Sequence, residues 1–204
     1  MPYRFLFFLA FNLILKYAAS QDTIPSWFYL KTADSINIYY RTFPNTEIRE
    51  LKLKTTFKAS ATSVVSVIKN VEAMHKWSHT CKSTKLIKKV NNNELFYYYI
   101  ADIPWPIQNR DVILHLKIFK DTINGIHTII SQNYNGLIPT NTGYTRISYM
   151  KAVWKITPIS NKLTEMEYFI TLKLSNNLPD WLINTAISYS PVKSINALKT
   201  IVEK

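Results

Sequence analysis

Through the middle of this chain apolar and polar residues alternate with period two, and near residue 178 that rhythm gives way to a helical one. Alternation sends successive side chains to opposite faces of a strand, so a segment that keeps it is half-buried, with one wet face. The clearest stretch runs from Leu51 to Ala59, with Leu51, Leu53, Thr55, Phe57 and Ala59 on one face and Lys52, Lys54, Thr56 and Lys58 on the other. Strands are predicted at 83–90 and 94–102, joined by Asn91-Asn92-Asn93, whose tolerance of positive φ suits a hairpin turn. Another opens at Arg110, with Val112, Leu114, Leu116 and Ile118 on one face, turns at Asn124-Gly125 and returns through 126–134. Two long strands, 144–157 and 163–174, flank a turn at Pro158 to Lys162.

Helical spacing appears twice. Ser60 can cap a helix reaching Met74, with Val64, Val67, Ile68 and Val71 on its apolar side. From Leu178 to Val202, Trp181, Leu182, Ile187, Val192, Ile195, Leu198 and Val202 recur at three- to five-residue steps. Asn177 can cap this second helix, Pro179 and Asp180 suit its first turn, and Pro191 predicts a kink midway. A curved antiparallel sheet needs its apolar face covered, and only the last helix is long enough to do so. The fold class is therefore α+β, a sheet wrapped around a C-terminal helix.

The 204 residues suit a single domain, and 47% hydrophobic content with 28 Phe, Trp and Tyr residues excludes a chain disordered throughout. Three glycines, with neither GxGxxG nor GxxxxGK, leave little for a nucleotide-binding loop. Cys81 is the only cysteine, so no internal disulfide and no multi-thiolate metal site can form within one chain. Residues 1–20 stand apart: Arg4, an apolar run from Phe5 to Leu15 broken by Asn12, then Lys16 and the small residues Ala18, Ala19 and Ser20. The run is too short for a bilayer core, which takes about 20 residues. It fits a signal peptide cleaved before Gln21, giving a periplasmic or secreted protein, the alternative being a membrane anchor over residues 5–20. Residues 22–204 then form one domain.

The segment Ile103-Pro104-Trp105-Pro106-Ile107-Gln108-Asn109-Arg110-Asp111 resembles the signature of START domains, the steroidogenic-acute-regulatory-related lipid-transfer family. Supporting matches are Trp77 and Cys81, Pro139 to Arg146, and Pro179-Asp180-Trp181-Leu182-Ile183-Asn184, which together span residues 27–202. The resemblance implies the helix-grip fold shared with Bet v 1-like proteins, enclosing a tunnel for one lipid. It also implies that the arginine of the signature pairs with an acid inside the cavity or meets a polar headgroup. One departure is Ser175-Asn176-Asn177, where the family often has a glycine before the last helix.

Read from the residues alone, Arg110 shares the face of Val112 and Leu114, where a charge is costly unless paired. Its candidate partners are Asp102 and Glu94, since Asp111 has the opposite parity; a purely structural salt bridge is the alternative. In the run Phe96-Tyr97-Tyr98-Tyr99, alternation sends Phe96 and Tyr98 one way and Tyr97 and Tyr99 the other, and either pair can line a pocket. Trp105, between two prolines, suits a plug or a contact with a partner or membrane. The candidate lipid contacts are Tyr98, Asp102, Trp105, Arg110, Val112, Leu114, Arg146 and Trp154, with Trp181, Ile187 and Ile195 on the last helix.

Enzymatic constellations are sparse. His75, His79 and Cys81 have no carboxylate between Ala73 and Asn93, which argues against zinc, and no serine sits in a nucleophile-elbow context. No cofactor is expected. A net charge of +12 and the lysines Lys82, Lys85, Lys88 and Lys89 suit a solvated face or transient docking on an anionic membrane; no nucleic-acid-binding spacing occurs. The expectation is a monomeric, non-enzymatic carrier of a hydrophobic lipid or sterol-like ligand, the alternative being a cyclase or hydrolase of the same superfold.

Overall fold

The computed structural model describes residues 25–44, 48–140, 142–173 and 189–204. The chain enters through a hairpin of β1 (Phe28–Ala33) and β2 (Ile36–Thr42). The two turn residues, Asp34 and Ser35, have positive φ, 51° and 60°, as a primed hairpin turn demands. The Leu51–Ala59 alternation becomes β3 (Ile48–Phe57), in which Leu51, Leu53, Thr55 and Phe57 are buried. Ser60 then caps α1 (Ala61–Lys69) by accepting a 3.1 Å hydrogen bond from the Ser63 amide. The helix expected to run to Met74 ends at Asn70, where ψ swings to 77°, and Val71–Lys76 continue as a separate 3-10 helix.

Long strands follow: β4 (Cys81–Asn91), β5 (Glu94–Ala101), β6 (Arg110–Lys120) and β7 (His127–Asn133). The strand expected over 144–157 is broken. Thr145 and Arg146 form a short β8 parallel to β6, and β9 (Met150–Ser160) starts only after a bend. The break follows from Arg146, whose side chain is committed to Asp111 on β6. Strand β10 (Leu163–Lys173) completes a sheet ordered β1-β2-β3-β10-β9-β7-β6-β5-β4, its neighbours antiparallel along this path.

Helix α2 (Ser190–Val202) lies across the buried face. Its Val192, Ile195 and Leu198 join Val64 and Ile68 of α1 and Leu53, Ile156 and Met166 of the sheet in one core. Each fully buried aliphatic side chain contributes about 1.5–3 kcal/mol. Pro191 falls in the first turn of α2, where its missing N–H costs nothing; the kink expected there depends on the segment before residue 189, which lies outside the described residues. The C-terminal half of α2 is stapled to the sheet. Lys199 Nζ donates to Thr55 Oγ1 at 2.8 Å, Asn196 Nδ2 to Asp34 Oδ2 at 2.6 Å, and the Lys58 amide to Glu203 Oε1 at 2.9 Å.

Candidate ligand cavity

Three residues of the signature do three separate jobs. Asn109 Oδ1 accepts from the Ile103 amide at 2.8 Å and closes the loop that precedes β6. Gln108 ties that loop to the next one, donating to the Thr142 carbonyl at 3.1 Å and accepting from Thr145 Oγ1 at 2.9 Å. Trp105 is left at the tip, 91% exposed. Arg110 and Asp111 then point to opposite faces, as alternation requires.

Asp111 goes outward into a closed polar site. Arg146 Nε donates to its Oδ1 at 2.9 Å and Nη2 to its Oδ2 at 2.8 Å, while Tyr98 Oη donates to Oδ2 at 2.7 Å. Burial alone would raise the pKa of this carboxyl, but the hydrogen bonds from Arg146 and Tyr98 outweigh it and hold the group below the ordinary carboxylate value. Burial and the bond to Asp111 push Tyr98 up to about 12. Arg146 also donates to the carbonyls of Ile138 and Pro139, so the same guanidinium holds that stretch of backbone against the sheet.

Arg110 goes inward, to the wall of a cavity of about 200 Å³ between the sheet and α2. The β5 residues on its face are Ala101, Tyr99 and Tyr97, fixed by the register Ala101↔Arg110 and Tyr99↔Val112. Tyr97 Oη meets Ser131 Oγ at 2.9 Å, and Tyr99 Oη meets Ser78 and Thr80 at 3.2 and 3.1 Å. An aromatic stack completes one side: Tyr168 lies on Trp154 with centroids 3.9 Å apart, and Trp77 meets Trp154 edge-on at 5.9 Å. Burial raises the pKa of all three phenols, Tyr99 to about 12, so they stay neutral in the cavity.

Of the expected contacts, the structure brings Arg110, Leu114 and Trp154 together in the wall. Val112 and Ile195 are buried in the adjoining core. Tyr98 and Arg146 stand on the far side of the sheet with Asp111, and Trp105 is in solvent. Neither expected partner reaches Arg110. Glu94 lies on the other face of β5, with His115 Nε2 at 2.7 Å and Lys117 Nζ at 3.6 Å, and Asp102 is exposed beside Lys82 at 3.9 Å. The reason is register: opposite Ala101, Arg110 shares a face with the odd-numbered residues of β5, whereas Glu94 and Asp102 are even. Trp181 and Ile187 lie outside the described residues. Missed from sequence were Tyr168, Met150 and Ile170 in the wall, although Tyr168 and Ile170 keep the parity of the buried Met166 on β10. Lys82, Lys85, Lys88 and Lys89 line β4, where exposed lysines also discourage pairing at a sheet edge. Among the described residues, no three His, Cys, Asp or Glu side chains gather as metal ligands.

A strongly curved sheet around a C-terminal helix, with a cavity between them, narrows the family, and the comparison with known families decides it: the START domain model matches residues 13–204. The chain belongs to the START domain family. Members of this family bind lipids. This START domain is 26% identical over 180 residues to an uncharacterized protein of Pseudomonas aeruginosa, covering 87% of both chains. It is similar to the crystal structure of a STAR-related lipid transfer protein from Xanthomonas axonopodis, with 25% identity, a TM-score of 0.78, and coverage of 87% of this chain and 99% of that one. Human StAR-related lipid transfer protein 5 shares the fold, at 15% identity and a TM-score of 0.75 over 86% of each chain. The helix-grip architecture expected from the signature at 103–111 is the architecture observed.

Proposed function

We propose that this START domain takes up one hydrophobic lipid without a covalent bond and moves it between membranes as a monomer. The observation behind the reading is the composition of the cavity wall. Ile68, Met74, Leu114, Leu116, Trp154 and Ile170 provide apolar surface, and a few hydroxyls with Arg110 and Lys173 provide polarity. Such a wall buries a lipid's chain and orients its polar end. Among the described residues that line it there is no His, Asp, Glu or Cys, the side chains that most often serve as acid, base or nucleophile, which favours a carrier over a cyclase or hydrolase. Native mass spectrometry of protein purified from its own host should find one lipid per chain. Ligand-free protein that turns over a hydrophobic substrate would overturn the reading in favour of the enzyme.

The same proposal includes export and a membrane contact. Trp105 sits on the loop leading into Arg110, and Lys82 is next to that loop's first residue, so a bilayer touching Trp105 lies at the cavity's Arg110 end. The lysines further along β4, Lys85, Lys88 and Lys89, add attraction to anionic headgroups. In one native preparation, terminal sequencing should return Gln21 or a residue close to it, and the protein should co-sediment with phosphatidylserine-containing vesicles more than with phosphatidylcholine vesicles. An N-terminus at Met1 refutes cleavage, and equal sedimentation refutes charge-assisted docking.

A further inference from the structure

We infer that the ligand of this cavity carries an uncharged carbonyl or hydroxyl oxygen that accepts a hydrogen bond from the indole N–H of Trp77. The inference rests on the lipid-binding reading above and adds where along the cavity the ligand is polar. The 3-10 helix Val71–Lys76 closes with the Trp77 amide donating to the Met74 carbonyl at 3.1 Å, and Trp77 then lines the cavity. The residue is only 5% exposed, and its Nε1 is buried without a hydrogen bond to any described residue. Buried donors are paired in the great majority of cases, because one left alone costs its full desolvation penalty.

The wall has no acceptor to spare for it. Tyr97 spends its hydroxyl on Ser131, and Tyr99 on Ser78 and Thr80. Trp154 offers Trp77 only its ring, edge-on at 5.9 Å. Tyr168, stacked on Trp154, is a second donor: its phenol is kept protonated by burial, and it too makes no hydrogen bond to a described residue. Two donors therefore border Trp154 with nothing to receive them.

Strand register sets these donors apart from the charged end of the cavity. Ile129 pairs with Trp154 on one side and with Ile118 on the other, and Ile118 lies far along β6 from Arg110. The wall's two cations stand where β6 begins and β10 ends. A carboxylate beside Trp77 would be withdrawn from water with neutral donors alone to receive it, which is costly. A plain alkyl segment in the same place strands both donors. A ketone, ester or alcohol oxygen satisfies at least one of them and carries no charge.

Heteronuclear NMR of the tryptophan indole groups tests this with four probes of similar chain length, delivered from cyclodextrin: 2-decanone, methyl nonanoate, 1-decanol and decane. The Trp77 signal is assigned by its loss in Trp77→Phe or, should that variant not fold, by elimination with phenylalanine variants of the other tryptophans. It should move downfield on saturation with at least one oxygenated probe and hold its place with decane. Whichever oxygenated probe moves it most tells carbonyl from hydroxyl. The affinity for that probe relative to decane should fall roughly three- to tenfold in Trp77→Phe, decane correcting for the lost ring volume, and should also fall in Tyr168→Phe. A signal that is unmoved by all three oxygenated probes at saturation, or that already lies downfield without a probe and stays there, leaves the donor to a trapped water and overturns the inference while lipid binding stands. A relative affinity unchanged in Trp77→Phe overturns it equally. If no probe binds, the lipid-binding reading itself falls, and the inference with it.

Discussion

Asp111→Asn is expected to destabilise the protein by about 3–5 kcal/mol, the cost of breaking a buried ion pair from one side. The Asp111 side chain is fully buried, and Arg146 is only 18% exposed, so a neutral amide leaves the guanidinium neither paired nor well hydrated. Three hydrogen bonds weaken together, two from Arg146 and one from Tyr98. Against a total stability of about 5–15 kcal/mol this is a large fraction. Tyr98→Phe removes one donor to the same carboxylate and should cost about 1.5–3 kcal/mol. Urea unfolding checks both, and a loss below about 1 kcal/mol in Asp111→Asn would show that the pair does not support the fold. The pair also sets an acid limit. The folded carboxyl titrates below its ordinary value of 3.8, so its stabilisation is complete above that pH and is lost as pH falls through the folded value. The unaltered protein should therefore lose thermal stability below pH 3.8 more steeply than Asp111→Asn, whose amide does not titrate.

A tether between the N-terminal half of α2 and the segment before β4 should arrest lipid release. The cavity of about 200 Å³ is below the roughly 300–1,000 Å³ usual for ligand sites, so loading and release need a wall to move. From Asn196 onward, α2 is held to the sheet and its flanking turns through Asn196, Lys199 and Glu203. Its first turns line the cavity through Ser190, Pro191 and Ser194, and cross to the rest of the fold where the His79 amide donates to Ser194 Oγ at 2.9 Å. Ser194→Cys with His79→Cys, in a Cys81→Ala background, places one thiol at the accepting end of that bond and the other on the residue whose backbone donates it. Loaded with a fluorescent fatty acid before oxidation, the cross-linked form should retain the probe over the time in which the reduced form empties into acceptor vesicles. Equal release rates would exclude this helix as the gate and turn attention to the loop around Trp105.

Much of the fold could be read from periodicity, because a sheet buried on one face must repeat every second residue: Leu51–Phe57 does so without interruption, and Val112, Leu114 and Leu116 keep the period on β6 although Asp111 and Ile113 between them are buried too. The N-terminal hairpin was harder to see. Phe28, Tyr29 and Leu30 are exposed on an edge strand, so no alternation marks β1, and Asp34-Ser35 is not a glycine-bearing turn. The helix after Ser60 and the strand after residue 144 were each drawn too long, since propensity does not register the ψ of Asn70 or the pull of Asp111 on Arg146. In the site, the inward direction of Arg110 followed from parity within its own strand. Its surroundings did not. Which acids share its face depends on how β5 aligns with β6, and that register is set by the intervening loop and its Asn109 closure.

Because strand parity separates the cavity from the polar cluster behind it, adjacent residues of β5 and β6 can be varied for different ends. Tyr97, Tyr99 and Leu114 line the cavity, while Tyr98 and Asp111, interleaved with them, hold Arg146 and through it the backbone at Ile138 and Pro139. A combinatorial library restricted to the inward positions, with Trp154 and Tyr168 added, would sample new ligand preferences while leaving the ion pair untouched. A lineage of such proteins can diversify its cargo by the same route, changing every second residue of two strands and conserving the ones between.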